Sequence, residues 1–246
     1  MAIITLCRPK AGNALNTLMR EQLSAALSRA FDDTGVRVLI LASDGAVFSA
    51  GTDLQEVGGD DFLPQKLLEE EYKPILMAIA TGAKPVVCAL QGVAAGVGAS
   101  LAMACDLIVM AEDACIYQAF SHIGLIPDGG ATWQLVHAMG SKRAFEVIVN
   151  GERIAAQECP ATGLVNKVVA AEVLTAETRA VAEGLTHKAP LAMRYAKQAL
   201  HRVRQMDLSD AISFEAALQN YCTRSDDAKE GSKAFFEKRS PVFKGR

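Results

Sequence analysis

The stretch Lys84-Pro85-Val86-Val87-Cys88-Ala89-Leu90-Gln91-Gly92-Val93-Ala94-Ala95-Gly96-Val97-Gly98-Ala99-Ser100-Leu101-Ala102-Met103-Ala104-Cys105-Asp106 carries no charged residue between its ends. A run of this length is sufficient for a membrane span. Pro85 opens it, however, Gln91-Gly92 interrupts it, and Gly96 and Gly98 fall where a spanning helix loses propensity. These breaks predict a buried strand over Val86 to Leu90, a turn, and a buried helix running to about Cys105. Hydropathy does not separate lipid from the core of a large protein, so the glycines and proline decide. The segment is read as interior, and no membrane partner is expected.

Working outward, Ile3 to Leu6 reads as a strand, Arg8-Pro9 with Gly12-Asn13 as a turn, and Thr17 as the cap of a helix reaching about Phe31. Leu18, Leu23, Leu27 and Phe31 lie close to helical period along it. Val36 to Leu41 is a second apolar strand closed by Ser43-Asp44-Gly45, Leu67 to Ala80 a second amphipathic helix, and Leu107 to Met110 a further strand. Strands that alternate with helices call for crossover connections and mostly parallel pairing, so the fold class is α/β. From Ala131 onward helices dominate, at about 131–149, 155–160, 171–186, 190–205, 208–221 and 226–236, with one strand at Leu164 to Val169. The organisation expected is an α/β core over 1–190 and a helical region over 191–246, packed on the core or on a neighbouring subunit.

Half of the 246 residues are hydrophobic, which allows a substantial core. The net charge of -3 provides no broad attraction for nucleic acid or an acidic membrane surface, whereas a phosphate-bearing small molecule needs only a few local cations. Cys7, Cys88, Cys105, Cys115, Cys159 and Cys222 are widely separated and are expected as reduced thiols. No metal-ligand spacing is present. Met1 to Pro9 lacks the pattern of a secretion signal, so a cytoplasmic protein is expected.

Two elements bear on chemistry. Phe48-Ser49-Ala50-Gly51-Thr52-Asp53 is a small-residue turn that lets a ligand approach the backbone. Gly92 to Ser100 leads from a strand into an apolar helix, where main-chain amides are left without helical acceptors; close helix packing is the alternative use of its glycines. One amide from each can stabilise a carbonyl oxygen that becomes an enolate oxyanion.

Arg8-Pro9 with Asn13-Ala14-Leu15-Asn16, Phe48 to Asp53, Lys84-Pro85, Gln91 to Gly96, Cys105-Asp106, Gly124 to Pro127, and Phe236-Glu237-Lys238-Arg239-Ser240-Pro241-Val242-Phe243 follow one another as ordered landmarks. In order and spacing the chain resembles the crotonase, or enoyl-CoA hydratase/isomerase, family over nearly its whole length. The resemblance implies a crotonase-like spiral of ββα units whose helical C-terminal region is used in trimerisation, with homotrimers often paired into hexamers. It also implies an acyl-CoA substrate and no cofactor beyond the coenzyme A of that thioester. The thioester oxygen is expected between the amides of Thr52 and Val97, the latter standing where the family usually has glycine. Ala50, Asp53 and Leu54 match the stretch along the nucleotide and pantetheine. Gly51 and Gly96, beside the two amides, are counted with them as substrate-binding. Phe236 and Lys238 match residues that contact the adenine and phosphate of CoA, from the same subunit or a neighbouring one.

The acids depart from the family's hydratases, which carry glutamates at the positions matching Ser100 and Phe120. Serine is a poor general base and phenylalanine none, so syn hydration is disfavoured. Asp128, between Leu125-Ile126-Pro127 and Gly129-Gly130, matches the catalytic aspartate of some family isomerases and the nucleophile of aryl-CoA dehalogenases. The segment Tyr117 to Trp133 resembles the isomerases of phenylacetate degradation. The favoured reading is an enoyl-CoA isomerase in which Asp128 shuttles a proton, with Phe120 and Trp133 as pocket wall and Phe120 helping to raise the aspartate's pKa. The alternatives are a hydratase, nucleophilic attack by Asp128, a non-catalytic acyl-CoA-binding protein, and an Asp128 that merely caps the helix beginning near Gly129. His122 is read as structural or partly exposed ahead of any contact with Asp128 or substrate. The acyl group is left to the loop at residues 55–75, the 117–133 segment and another subunit.

Overall fold

A computed structural model describes residues 1–57 and 63–246, so residues 58–62 of the loop expected to shape the acyl site lie outside the described residues. The first half runs β1 (Ala2–Leu6), α1 (Thr17–Asp32), β2 (Leu39–Ser43), α2 (Pro64–Leu67), α3 (Lys73–Thr81), β3 (Val86–Leu90), β4 (Val93–Ala95) and α4 (Val97–Met103). β5 (Leu107–Ala111), β6 (Cys115–Tyr117), α5 (Ala131–Asn150), β7 (Arg153–Ala155), α6 (Cys159–Thr162) and β8 (Lys167–Val169) follow. The chain ends in α7 (Leu174–Thr186), α8 (Pro190–Arg202), α9 (Leu208–Thr223) and α10 (Asp226–Glu237).

The uncharged stretch forms the centre. All five residues of β3 are buried, as a parallel strand covered on both faces requires, and every residue of α4 is buried too. β3 pairs in parallel with β2 on one side and β5 on the other, within a sheet of order β1-β2-β3-β5-β8. At the two edges β1 pairs in parallel with β2 and β8 with β5. A smaller sheet, β4-β6-β7, runs parallel between β4 and β6 and antiparallel between β6 and β7. Ser49 bridges to Ala94, which attaches the Phe48–Asp53 loop to this second sheet. Among the described residues no helix is long and apolar enough to cross a membrane. The six cysteines are free thiols.

Several local expectations are corrected. Asn16, not Thr17, caps α1: its backbone is extended and its side chain accepts from the Met19 amide. Thr17 instead bonds Glu56 and Arg20, and Leu18 faces outward. The second strand starts at Leu39 rather than Val36, because Arg37 ties the preceding segment to the carbonyls of Thr186 and Phe243. The helix expected over Leu67 to Ala80 contains a π-helical turn, Leu68–Tyr72. Gly140, with φ 75°, breaks the helix expected over 131–149, and the 155–160 helix is displaced to α6 by β7. The strand expected from Leu164 begins at Lys167, where pairing with β5 starts.

α8 is anchored to the α/β core by Lys197, which donates from Nζ to Ile79 O at 2.6 Å, Lys84 O at 3.1 Å and the Asp106 carboxylate at 2.7 Å. Asp106 also accepts from the Val86 amide, so this cluster closes the start of β3. Burial pushes the Asp106 carboxyl upward in pKa despite the attraction of Lys197. Lys197→Met leaves that carboxylate and two carbonyls without their cation. It is expected to lower the unfolding free energy by about 3 kcal/mol and Tm by roughly 6–12 °C. Calorimetry within about 1 °C of the parent would show the anchor to be dispensable.

Candidate active site

The Phe48–Asp53 loop is locked from the motif at the chain's start. Asn13, buried and at φ 53°, donates from Nδ2 to the carbonyls of Asp44 and Val47 and accepts from the Arg8 amide. Ser49 Oγ donates to Asn13 O at 2.9 Å and accepts from the Gly51 amide at 3.2 Å. The Leu15 amide donates to Gly51 O and the Asp53 amide to Leu15 O, so Leu15 grips the loop on either side of Thr52. In such a parallel bridge the bracketed residue turns its own N–H away from the partner strand. Among the described residues the Thr52 amide has no acceptor.

Val97 opens α4, so its amide has no helical acceptor, and none is found for it elsewhere among the described residues. Gly51 brings the two amides together. At φ 92°, a Cβ on it would stand 2.9 Å from Ala95 O and 3.4 Å from Val97 N. The Val97 side chain is buried with Cγ2 against Gly129.

These groups open onto a cavity of about 760 Å³, largely apolar in its walls, with Leu67, Leu68, Leu76, Ile123 and Leu125 among them. Ala50, Thr52, Leu54, Gly96, Val97, Phe120 and Asp128 all line it. The edge of the Phe120 ring lies over Gly96, 3.5 Å from where a Cβ would stand. Leu54 is 66% exposed, at the solvent side.

Asp128 is held by its main chain. Its carbonyl accepts from Ser100 Oγ at 2.9 Å and from the Ala131 amide at 3.0 Å, so Ser100 fixes the aspartate's backbone. The side chain caps nothing: Gly130 is the N-cap of α5, without a side-chain bond, which removes the capping role. Oδ1 is buried with no hydrogen-bond partner. Burial pushes the carboxyl up to about 6. Among the described residues the cavity's other carboxylate, Glu69, is more than half exposed and paired with Lys73 at 2.6 Å.

Asp53, Trp133, Phe236 and Lys238 stand off the cavity, and His122 is on it. Asp53 is outside the cavity walls and pairs with Arg8 at 2.9 Å, an arrangement that holds its carboxyl below the usual range. Trp133 does not line the cavity; it packs on His137, with the Arg204 guanidinium over its ring at 4.4 Å. Phe236, 82% exposed, and Lys238, a left-handed C-cap of α10, are also outside the walls. His122 lines the cavity and is exposed. Tyr72 and Arg20 were not singled out by sequence. Tyr72 lies on a cavity wall and is buried, and its hydroxyl meets Thr52 Oγ1 at 3.0 Å. Arg20, 4% exposed in α1, donates to Leu15 O at 2.6 Å and lies over the Tyr72 ring. A charged residue at a core position of α1 is the signal that marks it.

Two unbonded amides brought side by side, facing an apolar cavity that holds one raised carboxyl, form a site for chemistry on an activated carbonyl compound. The sequence model of the Enoyl-CoA hydratase/isomerase family matches residues 1–246, and the chain belongs to that family. A "Probable enoyl-CoA hydratase" of Rhodobacter capsulatus is 39% identical over 246 residues, covering 100% of this chain and 95% of the relative. The 1,2-epoxyphenylacetyl-CoA isomerase of Escherichia coli is 35% identical over 247 residues, covering 99% and 94%. The crystal structure of an enoyl-CoA hydratase from Bacillus anthracis superposes with a TM-score of 0.94 at 32% identity, covering 99% of this chain and 95% of that one. The α/β architecture is the crotonase fold.

Proposed function

We propose that this protein is an enoyl-CoA isomerase in which Asp128 moves one proton along the acyl chain. The observation that carries the reading is the raised Asp128 carboxyl, its Oδ1 buried and unpartnered, in a cavity whose wall includes Phe120; the resemblance that sets Ser100 and Phe120 at the positions of the hydratase glutamates supports it. The thioester oxygen of a 3-enoyl-CoA lies between the amides of Thr52 and Val97. Asp128 takes a proton from C2, the C–H electron pair forms a C1–C2 double bond as the carbonyl π pair moves onto the thioester oxygen, and the amides stabilise the resulting dienolate, conjugated with the C3–C4 double bond. The protonated carboxyl then returns the proton at C4, which leaves a 2-enoyl-CoA. Apolar walls limit competing water. CoA is part of the substrate, and no further cofactor enters. Self-association as a trimer or hexamer belongs to the same reading, supported by Phe235 and Phe236, 79% and 82% exposed in one chain.

The test is a panel of 3-enoyl- and 2-enoyl-CoA thioesters, aliphatic and aryl, followed in deuterated buffer by 2-enoyl absorbance and mass. The expected result is gain of absorbance from 3-enoyl substrates with deuterium entering C2 and C4, and hydration of 2-enoyl substrates at least about a hundredfold slower. Hydration is the second reading, favoured by the name of the Rhodobacter capsulatus relative. Rapid loss of 2-enoyl absorbance with the mass of one added water, deuterium at C2 and none at C4 would establish it instead. A trapped aspartyl ester would point to nucleophilic chemistry, and binding with neither turnover nor exchange to a non-catalytic role.

A further inference from the structure

The π-helical turn Leu68–Tyr72 places the Tyr72 hydroxyl 3.0 Å from Thr52 Oγ1 and 3.3 Å from Leu15 O. Such turns insert one residue into a helix and recur where a side chain must be aimed at a site. The hydrogens follow from counting partners. Leu15 O already accepts a short charge-assisted bond from Arg20 Nη1 at 2.6 Å, and it stands farther from the phenol than Thr52 Oγ1 does. The phenolic hydrogen therefore goes to the closer oxygen, Thr52 Oγ1. That fixes the other half of the threonine: its own hydrogen needs a different acceptor. Among the described residues there is none, and Thr52 lines the cavity.

Resting on the placement of the thioester oxygen against the Thr52 and Val97 amides, we propose that the Thr52 hydroxyl is a third donor to that oxygen and that Tyr72 is the positioning residue that orients it. A hydroxyl that accepts one hydrogen bond is polarised to donate another. Arg20 stabilises the arrangement. It lies 5.4 Å from the Tyr72 ring centroid and is bonded to Leu15 O, Thr17 and Glu71, which ties α1 to the π turn and to the residue that grips the Thr52 loop. Burial raises the phenol's pKa, which keeps Tyr72 a donor across the working range.

The experiment pairs steady-state isomerisation with the absorption band of a bound aryl 2-enoyl-CoA, which moves to longer wavelength as its carbonyl is polarised. In the parent the band shifts on binding. Thr52→Val is expected to lose part of that shift and about ten- to hundredfold in kcat, with KM within about threefold. Tyr72→Phe moves both readouts the same way, by about three- to tenfold in kcat. Thr52→Ser, which keeps the hydroxyl, recovers most of the shift. A parent that leaves the band unmoved overturns the oxyanion placement and this proposal with it. A parental shift that persists in folded Thr52→Val and Tyr72→Phe, with kcat unchanged, overturns the proposal alone. A purely structural role for Tyr72, seen as lowered Tm with a parental band shift, does the same.

Discussion

Asp128→Asn is expected to reduce double-bond migration by about a thousandfold while KM for the acyl-CoA stays within about threefold. The carboxamide has nearly the shape of the carboxylate and cannot accept the C2 proton. The contacts that hold the residue are made by its main-chain carbonyl, to Ser100 Oγ and the Ala131 amide, and survive the exchange. With the parent carboxyl at about 6, kcat/KM should rise with pH along a limb centred there, and the limb should disappear in the variant's residual activity. A folded variant turning over within about tenfold of the parent would remove Asp128 as the base.

The same substitution has a thermodynamic signature of fixed sign. The folded-state carboxyl lies at about 6, above the value of about 3.9 in an unfolded chain. The native state therefore holds its proton more tightly. Its contribution to stability is full below about pH 4 and is lost as pH rises through about 6. Asparagine carries no such loss. After allowance for partial solvent contact, Asp128→Asn is expected to be more stable than the parent by about 1–2 kcal/mol at pH 7.5 relative to the difference at pH 4. Denaturant unfolding at both pH values reads this difference. Loss of activity with gain of stability at neutral pH is what a buried base produces, and a merely structural aspartate gives the reverse.

The parts of this molecule legible in the chain are those whose physical cause is local. β3 could be bounded from Pro85 and Gln91-Gly92 because a strand covered on both faces must be apolar throughout. β4 and β6 could not: each has three residues, and each exists because it pairs with the other across the second sheet. The α1 cap is ambiguous in sequence since Asn16 and Thr17 are both good caps, and backbone conformation selects the first. At the site, Asp128 and the two amide positions stand on motifs and could be named. Tyr72 could not, because its approach to Thr52 depends on the extra residue of a π turn and on Leu15 O being bonded by Arg20. The ring of Trp133 is equally able to line a pocket or to cover a surface, and only the packing of His137 and Arg204 decides.

Gly51→Ala is expected to lower kcat about a hundredfold and stability by about 2 kcal/mol. Two effects combine. At φ 92° an alanine occupies a sparsely populated conformation, and its Cβ stands 2.9 Å from Ala95 O, so either the loop or the strand leading into α4 must shift. That contact lies beside the Val97 amide, and on the proposed mechanism a donor moved by about half an ångström no longer meets the thioester oxygen. Gly163→Ala separates the causes. Its φ is 77° with nothing within 4 Å of the new Cβ, so it imposes strain at the end of α6, remote from the cavity walls. It is expected to lose about 1 kcal/mol of stability with kcat intact. If Gly51→Ala folds and keeps kcat within about threefold of the parent, close approach of the two loops is not what sets the geometry of the amides. If Gly163→Ala loses activity as well, strain transmitted through the fold, rather than the local contact with Ala95, explains the loss.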